Sequence, residues 1–232
     1  MMHRHFNHEI ELLKQRILKL GTMVEEAFMT ALASIREHRK DLAESVIAGD
    51  RLIDQAELDL EEECLKLLAL YQPVAGDLRL VIAVLKINND LERIGDLAVN
   101  IAERAVFLAS APLQAFPFDL SRMSEVAAQM LRQSLDALAS GQIGPARQVC
   151  LMDDEVDGIN RDMYEQVKNA IREHPDRVES LIQVLGVSRA LERIADHATD
   201  IAEDVVYMSS GEIIRHAYSL AAATRAETTG KH

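Results

Sequence analysis

Apolar residues near the start of the chain fall at Ile10, Leu13, Ile17, Leu20, Val24, Phe28, Ala31 and Ile35, in steps of three and four. That spacing is the period of a helix with one buried stripe, and it predicts a helix from about Phe6 to His38, with Gly21 as a place for a kink. The same rhythm predicts a second helix from about Asp41 to Tyr71, stopped ahead of Pro73, and a third from about Gly76 to Leu108. A stretch carrying two prolines, SAPLQAFPFDLS, then breaks the pattern. Three more helices are predicted beyond it: about Leu120 to Ala139, Ile143 to Glu173, and Asp176 to Met208. Gly141, Gly144–Pro145 and His174–Pro175 mark the connections between them. Periodicity fades from Ser209 onward, and the end of the tail, TRAETTGKH, is expected to fray.

The second set of helices repeats the first. Leu91 to Glu103 reads LERIGDLAVNIAE, and Leu191 to Glu203 reads LERIADHATDIAE. Weaker matches run upstream in the same order: Pro73 with Pro175, Ile53–Asp54 with Val156–Asp157, and Met23 and Glu25 with Met123 and Glu125. Self-similarity at a fixed interval marks a duplicated structural unit. Short connections between long helices make them antiparallel neighbours. The expected fold is therefore all-α: two tandem antiparallel three-helix bundles related by an internal duplication. The first bundle is assigned to residues 1–111, a linker to 112–119, the second bundle to 120–210 and a C-terminal tail to 211–232.

Composition supports long helices, with few Gly and Pro, no Trp and a core of Leu, Ile, Val, Ala and Met. Net charge adds a functional constraint. At −13, the surface repels a phosphate backbone and an anionic membrane, which argues against nucleic acid and lipid and in favour of cations or basic protein patches. The longest apolar run, Leu80 to Leu85, is far too short to insert in a membrane. Cys64 and Cys150 each stand alone in an apolar helical pattern, so both are expected as buried thiols in a reducing compartment. The opening MMHRHFNHEIELLK lacks the apolar core of a signal peptide, and a cytoplasmic location is expected.

The repeated stretch carries the candidate chemistry. On a helical wheel, Leu91, Ile94, Ala98, Ile101, Ala105 and Leu108 form one apolar seam, with Glu92, Asp96, Asn100 and Glu103 on the roughly opposite face. The second copy places Glu192, Asp196, Asp200 and Glu203 likewise. A solvated face is the ordinary reading of such a row, and Arg93 and Arg193 give it ordinary ion-pair partners. Like charges stacked at i and i+4 do not help an isolated helix, however, and both copies keep them. Oxygen ligands one turn apart suit magnesium, manganese, calcium or iron. One helix offers too few for a closed shell, so a neighbouring helix or subunit would complete it. His197 reads as a structural histidine. The middle-helix acids Asp50, Asp54, Glu57, Glu61, Asp153 and Asp157 read as a solvated row. His3, His5 and His8 resemble a metal tract but lie in a terminus.

These residues resemble the PhoU family of bacterial phosphate-uptake regulators, over nearly the whole chain from about Phe6 to Met208. The repeated acidic motif, with QPVAGDLR (Gln72 to Arg79) as the entry to the third helix, carries the likeness. The resemblance implies a regulator and not an enzyme: a repressor of phosphate-starvation signalling. It would act between the ATPase subunit of a phosphate ABC transporter and a sensor histidine kinase, with a homodimer expected. It also implies that metal, of iron, zinc or another divalent kind, could sit on Glu92, Asp96, Asn100, Glu192, Asp196 and Asp200. Leu97 standing opposite His197 would make the first half the poorer site. The rival class, a ferritin-like di-metal enzyme, needs Glu-x-x-His pairs pointing into the bundle. The sequence has none.

Overall fold

The computed structural model describes residues 2–110 and 119–214, with side chains described from His5 onward. The described residues form six α-helices: α1 Met2–Arg36, α2 Lys40–Tyr71, α3 Ala75–Ser110, α4 Ser121–Ser140, α5 Ile143–Glu173 and α6 Val178–Ser210, with a 3-10 turn at Pro175–Arg177 ahead of α6. No strand occurs among the described residues, and the predicted all-α fold is correct. The linker assigned to 112–119 lies outside the described residues except for Asp119, as does the tail beyond Ile214 and with it the expected fraying.

Helix ends follow local chemistry. Gly141 and Gly211 take left-handed conformations, at φ 65° and 77°, and donate their N–H groups to Ala137 and Tyr207 four residues back. That closes the helix with a residue that has no Cβ to strain. Gln72 performs the same turn after α2 at φ 46°, and Pro73 forbids continuation. Predicted and observed boundaries agree within a few residues, except that α1 begins earlier and that Pro175 opens a 3-10 turn before α6.

Packing is organised around α3 and α6. The most extensive contact in the molecule is between these two, the third helix of each half. Each also holds its own bundle: α3 packs on α1 and α2, and α6 on α4 and α5. The predicted seams form the centre, with Leu91, Ile94, Ala98, Ile101, Leu191, Ile194, Ala198 and Ile201 all fully buried. Two glycines permit close approach. α1 runs unbroken through Gly21, where a Cβ would meet Leu135 of α4 at 2.7 Å. At Gly186 a Cβ would fall 2.1 Å from Arg104 Nε, so the bare α6 backbone is what lets the α3 guanidinium lie across it. At the matching place on the other side of the repeat axis the pair is Lys86 and Asp204, bonded at 2.9 Å with Asp204 buried. Both cysteines are buried, and that burial pushes their thiols up to about 12, so neither is a ready nucleophile.

Because Ile194 lies in the seam that joins both bundles, Ile194→Ala should lower unfolding free energy by about 2–5 kcal/mol. Arg193→Ala, next door on an exposed face, should change it by less than about 0.5 kcal/mol. Chemical denaturation of the two variants checks the contrast.

Candidate functional site

The two acidic rows do not stand alone on their helices. In the first half, Glu92 and Asp96 of α3 share their electrostatic surroundings with Asp50, Asp54 and Glu57 of α2. In the second half, Glu192 and Asp196 of α6 do the same with Asp153 and Asp157 of α5. Each repeat thus holds a carboxylate notch between its second and third helices, at the solvent edge of an apolar interface. The α2 and α5 acids expected as a merely solvated row are in fact the other wall of that notch. Asp50, Asp54, Glu57, Asp153 and Asp157 are all partly buried.

Burial and then crowding act on the carboxyls of the second notch. Loss of water, then the charges of Asp196, Asp157 and Asp154, pushes the Asp153 carboxyl up to about 6. Asp196 keeps an exposed edge, but loss of water around its carboxyl, followed by Glu192 and Asp157, pushes it up to about 6 as well, against a small opposing effect of His197. Glu192 is raised too, by partial burial and then by Asp157 and Asp153. The first notch is milder: Asp50, Glu57 and Glu92 are raised, each chiefly by partial burial and then by neighbouring carboxylates. Asp50 Oδ1 is buried with no hydrogen-bond partner among the described residues. Arginine does little to neutralise the first notch. Arg93 lies 3.5 Å from Glu92 and 3.8 Å from Asp96 with its side chain half exposed.

Polar side chains brace each notch from below. Buried Asn88 on α3 donates from its amide to both the backbone carbonyl of Glu57 (3.1 Å) and its carboxylate (2.9 Å). In the second repeat the corresponding contact is Ser188 Oγ donating to Asn160 Oδ1 at 2.8 Å. Thr199 Oγ1 reaches Asp153 Oδ1 at 3.5 Å.

Two predicted site residues behave differently. Asn100 is partly buried on α3 beyond the notch. Asp200 still acts on Asp196 but lies together with Asp90 and His197. Among the described residues, these three are the side chains whose donor atoms all lie within 4.8 Å of one another. His197 Nδ1 stands 3.1 Å from Asp90 Oδ1 across the α3–α6 interface. They adjoin an open crevice of about 600 Å³ whose lining includes Glu61, Lys86, Asp90, Asp200, Glu203 and Asp204. Glu203, expected on the solvent face, is instead buried at 9% exposure, because α3, α4 and α5 all pack on α6 and every residue from Ile201 to Val206 is buried. The sequence signal for Asp90 was present but unused: it sits at a seam step, three residues after Ile87 and four before Ile94. In the proposed N-terminal tract, His5 and His8 are exposed, His5 Nε2 lies 3.7 Å from Glu9, and the side chain of His3 lies outside those described.

Comparison with known proteins places this geometry. The PhoU domain model matches twice, over residues 17–105 and 120–205, one match to each repeat. The chain belongs to the PhoU family. A relative from Aquifex aeolicus, named a phosphate-specific transport system accessory protein PhoU homolog, is 38% identical over 90% of this chain and 94% of its own length. The crystal structure of PhoU from Pseudomonas aeruginosa superposes with a TM-score of 0.86 at 33% identity, covering 89% of this chain and all of that one (100%). That of the phosphate transport system regulatory protein PhoU from Streptococcus pneumoniae gives a TM-score of 0.78 at 32% identity, covering 90% and 98%. The tandem bundles and their duplication are therefore the PhoU arrangement. No helix among the described residues is long and apolar enough to cross a membrane.

The raised carboxyls set a pH dependence. Folded protein holds protons on Asp153 and Asp196 up to about 6, whereas the unfolded chain releases them near the ordinary value of 3.8. The unfolded state then binds fewer protons, so these two groups make stability fall as pH climbs from roughly 4 to 6 and hold it level above that. Asp153→Asn/Asp196→Asn should flatten this slope and raise the melting temperature near neutral pH. Parallel thermal melts of variant and parent across that range measure it.

Proposed function

We propose that this PhoU-family chain is a negative regulator of phosphate uptake and phosphate-starvation signalling. It works in the cytoplasm as an adaptor between the ATPase subunit of a phosphate ABC transporter and a sensor histidine kinase. The names of its relatives, phosphate-specific transport system accessory protein and phosphate transport system regulatory protein, support the system and the regulatory role. The observation that carries the site-level reading is the notch itself: the same pairing of acidic rows built twice, once in each repeat.

The notches suit divalent cations. Asp50, Asp54, Glu92 and Asp96 would hold an ion in the first repeat, and Asp153, Asp157, Glu192 and Asp196 in the second. Their donors are all carboxylate oxygens, which favours iron or manganese over zinc. Loss of water and then mutual repulsion raise the proton affinity of Asp50, Glu92, Asp153, Glu192 and Asp196, and a cation relieves that repulsion. The orphaned Asp50 oxygen is the kind of buried acceptor an ion would satisfy. A bound ion would supply positive charge to an otherwise acidic face. The chain's own side chains do the rest. The α3 and α6 seams fix the spacing of the acidic rows, Asn88 holds Glu57 in place, and the exposed edges of Asp96 and Asp196 remain presentable to a docking protein. Whether bare or loaded, each notch sets partner choice and encounter rate through charge complementarity.

Glu192→Ala/Asp196→Ala should keep the parent's helicity and melt no lower than the parent near neutral pH, because neither side chain belongs to the core and both carboxyls are raised in the folded state. In a host lacking its own copy, the variant should fail to silence phosphate-starvation genes in phosphate-rich medium. A reporter that stays fully repressed would count against the notch as the working surface.

A further inference from the structure

The duplication gives an internal control on which surface residues the fold itself requires. The buried positions Ala43, Val46, Ile53 and Leu60 of α2 correspond to Ala146, Val149, Val156 and Met163 of α5, an offset of 103 residues. At four outward positions α2 is apolar where α5 is charged, while exposed Leu151 and Tyr164 of α5 stand opposite Ala48 and Glu61 of α2. α2 carries Leu52, Leu58, Leu65 and Leu70, exposed by 67%, 55%, 54% and 73%. α5 carries Glu155, Arg161, Lys168 and Glu173 at the corresponding places, all exposed. Single exposed leucines need no explanation. Four on one helix, each replaced by a charge in its own duplicate, cannot be ascribed to what the bundle needs for packing, and they read as a binding face.

Their arrangement narrows the occupant. Leu58 and Leu65 are one heptad apart and lie in line with Ile47, which is also exposed. Leu52 and Leu70 form a second line roughly 130° round the helix, by the 100° step per residue. Between the lines lies the helix side farthest from the core, which carries exposed Arg51, Gln55, Asp59, Glu62 and Lys66, so the leucines flank a polar strip. Electrostatics then decides against self-pairing. α2 carries nine acidic residues against three basic. The row Asp50, Asp54, Glu57 and Glu61 runs beside the line through Ile47, Leu58 and Leu65. Two copies meeting through this face would set acid against acid, whereas basic side chains around apolar anchors would complement it.

We propose that the outward face of α2 docks a heterologous protein through an amphipathic helix whose apolar side chains are flanked by lysine or arginine. The four leucines supply the apolar contact, and the acidic row fixes orientation. α5 lacks the leucines and does not serve as a second copy of this face, so the pseudo-symmetric molecule engages this partner on one side only. The choice of test partners rests on the adaptor reading.

The test installs the α5 residues in the full-length chain, as Leu52→Glu/Leu58→Arg/Leu65→Lys/Leu70→Glu. Binding is measured by calorimetry to the purified ATPase subunit of the phosphate transporter, and to the cytoplasmic region of the sensor kinase, from the same organism. The parent should bind at least one of them. The variant, with unchanged circular dichroism, should lose at least tenfold in affinity. A second variant, Glu61→Lys/Glu62→Lys, leaves every leucine in place and should also weaken binding and reduce its dependence on salt, which keeps the question answerable if the quadruple change unfolds the protein. Equal affinity of parent and variants would overturn the α2 face while leaving the adaptor reading intact. Binding of the parent to neither protein would overturn that reading and this proposal together. A dimeric parent that the quadruple change converts to monomer, by sedimentation, would give the face to a second copy and equally overturn the proposal.

Discussion

The apolar seam between α3 and α6 is the constraint from which the rest of the structure follows. It serves as the innermost layer of each three-helix bundle and at the same time as the interface between them. Its residues are fully buried from Leu91 through Ile101 and from Leu191 through Ile201 at every three-four step. Removing a side chain there loosens both bundles and their mutual placement, because one helix pair serves all three contacts. The seam also limits what can lie beside it. Gly186 is bare because Arg104 crosses it, and Asp204 is tolerated in the interior because Lys86 reaches it. A buried carboxylate without such a partner would be strongly destabilising.

From that fixed seam, the acidic rows acquire their positions. Glu92 and Asp96 lie one turn apart on a helix that cannot rotate, and so do Glu192 and Asp196. α2 and α5, packed along the same helices, bring a second row to each. The result is repulsion held in place by apolar packing elsewhere. Carboxyls that would be hydrated and spread apart in an unfolded chain are kept partly dry and close together, and loss of water followed by neighbouring charge raises their proton affinity, most of all in the second repeat, where Asp153 and Asp196 are both pushed up to about 6. Concentrated like charge at a half-open edge is the chemistry that the proposed binding of cations or basic protein surfaces would use. The two repeats are not equal. The second holds the more strongly raised carboxyls, and its His197 lies against Asp90 across the seam.

Most of the architecture was legible in the sequence because it rests on local periodicity. Six helices, their order, the duplication and both seams follow from apolar steps of three and four and from proline and glycine punctuation. The candidate site was legible only in part. Glu92, Asp96, Glu192 and Asp196 stood out because they repeat within one helix. Their partners Asp50, Asp54, Asp153 and Asp157 were visible as a row but not as a wall, since which face of α2 meets α3 depends on tertiary packing. Asp90, His197 and Asp200 are brought together by contact between repeats, and no pattern within a single helix reports that. Glu203 shows the same limit in reverse. The wheel set it outside with Glu192 and Asp196, but packing of three other helices on α6 buries every residue from Ile201 to Val206.

The chemical meaning of the notches can be read most directly by anomalous diffraction from crystals of the protein grown with manganese. Peaks are expected between α2 and α3 beside Asp50 and Glu92, and between α5 and α6 beside Asp153 and Glu192. Density found only at Asp90 and His197, or no ordered ion against either pair of rows, would contradict the central claim that the duplicated seam exists to hold two cation-receptive edges in register.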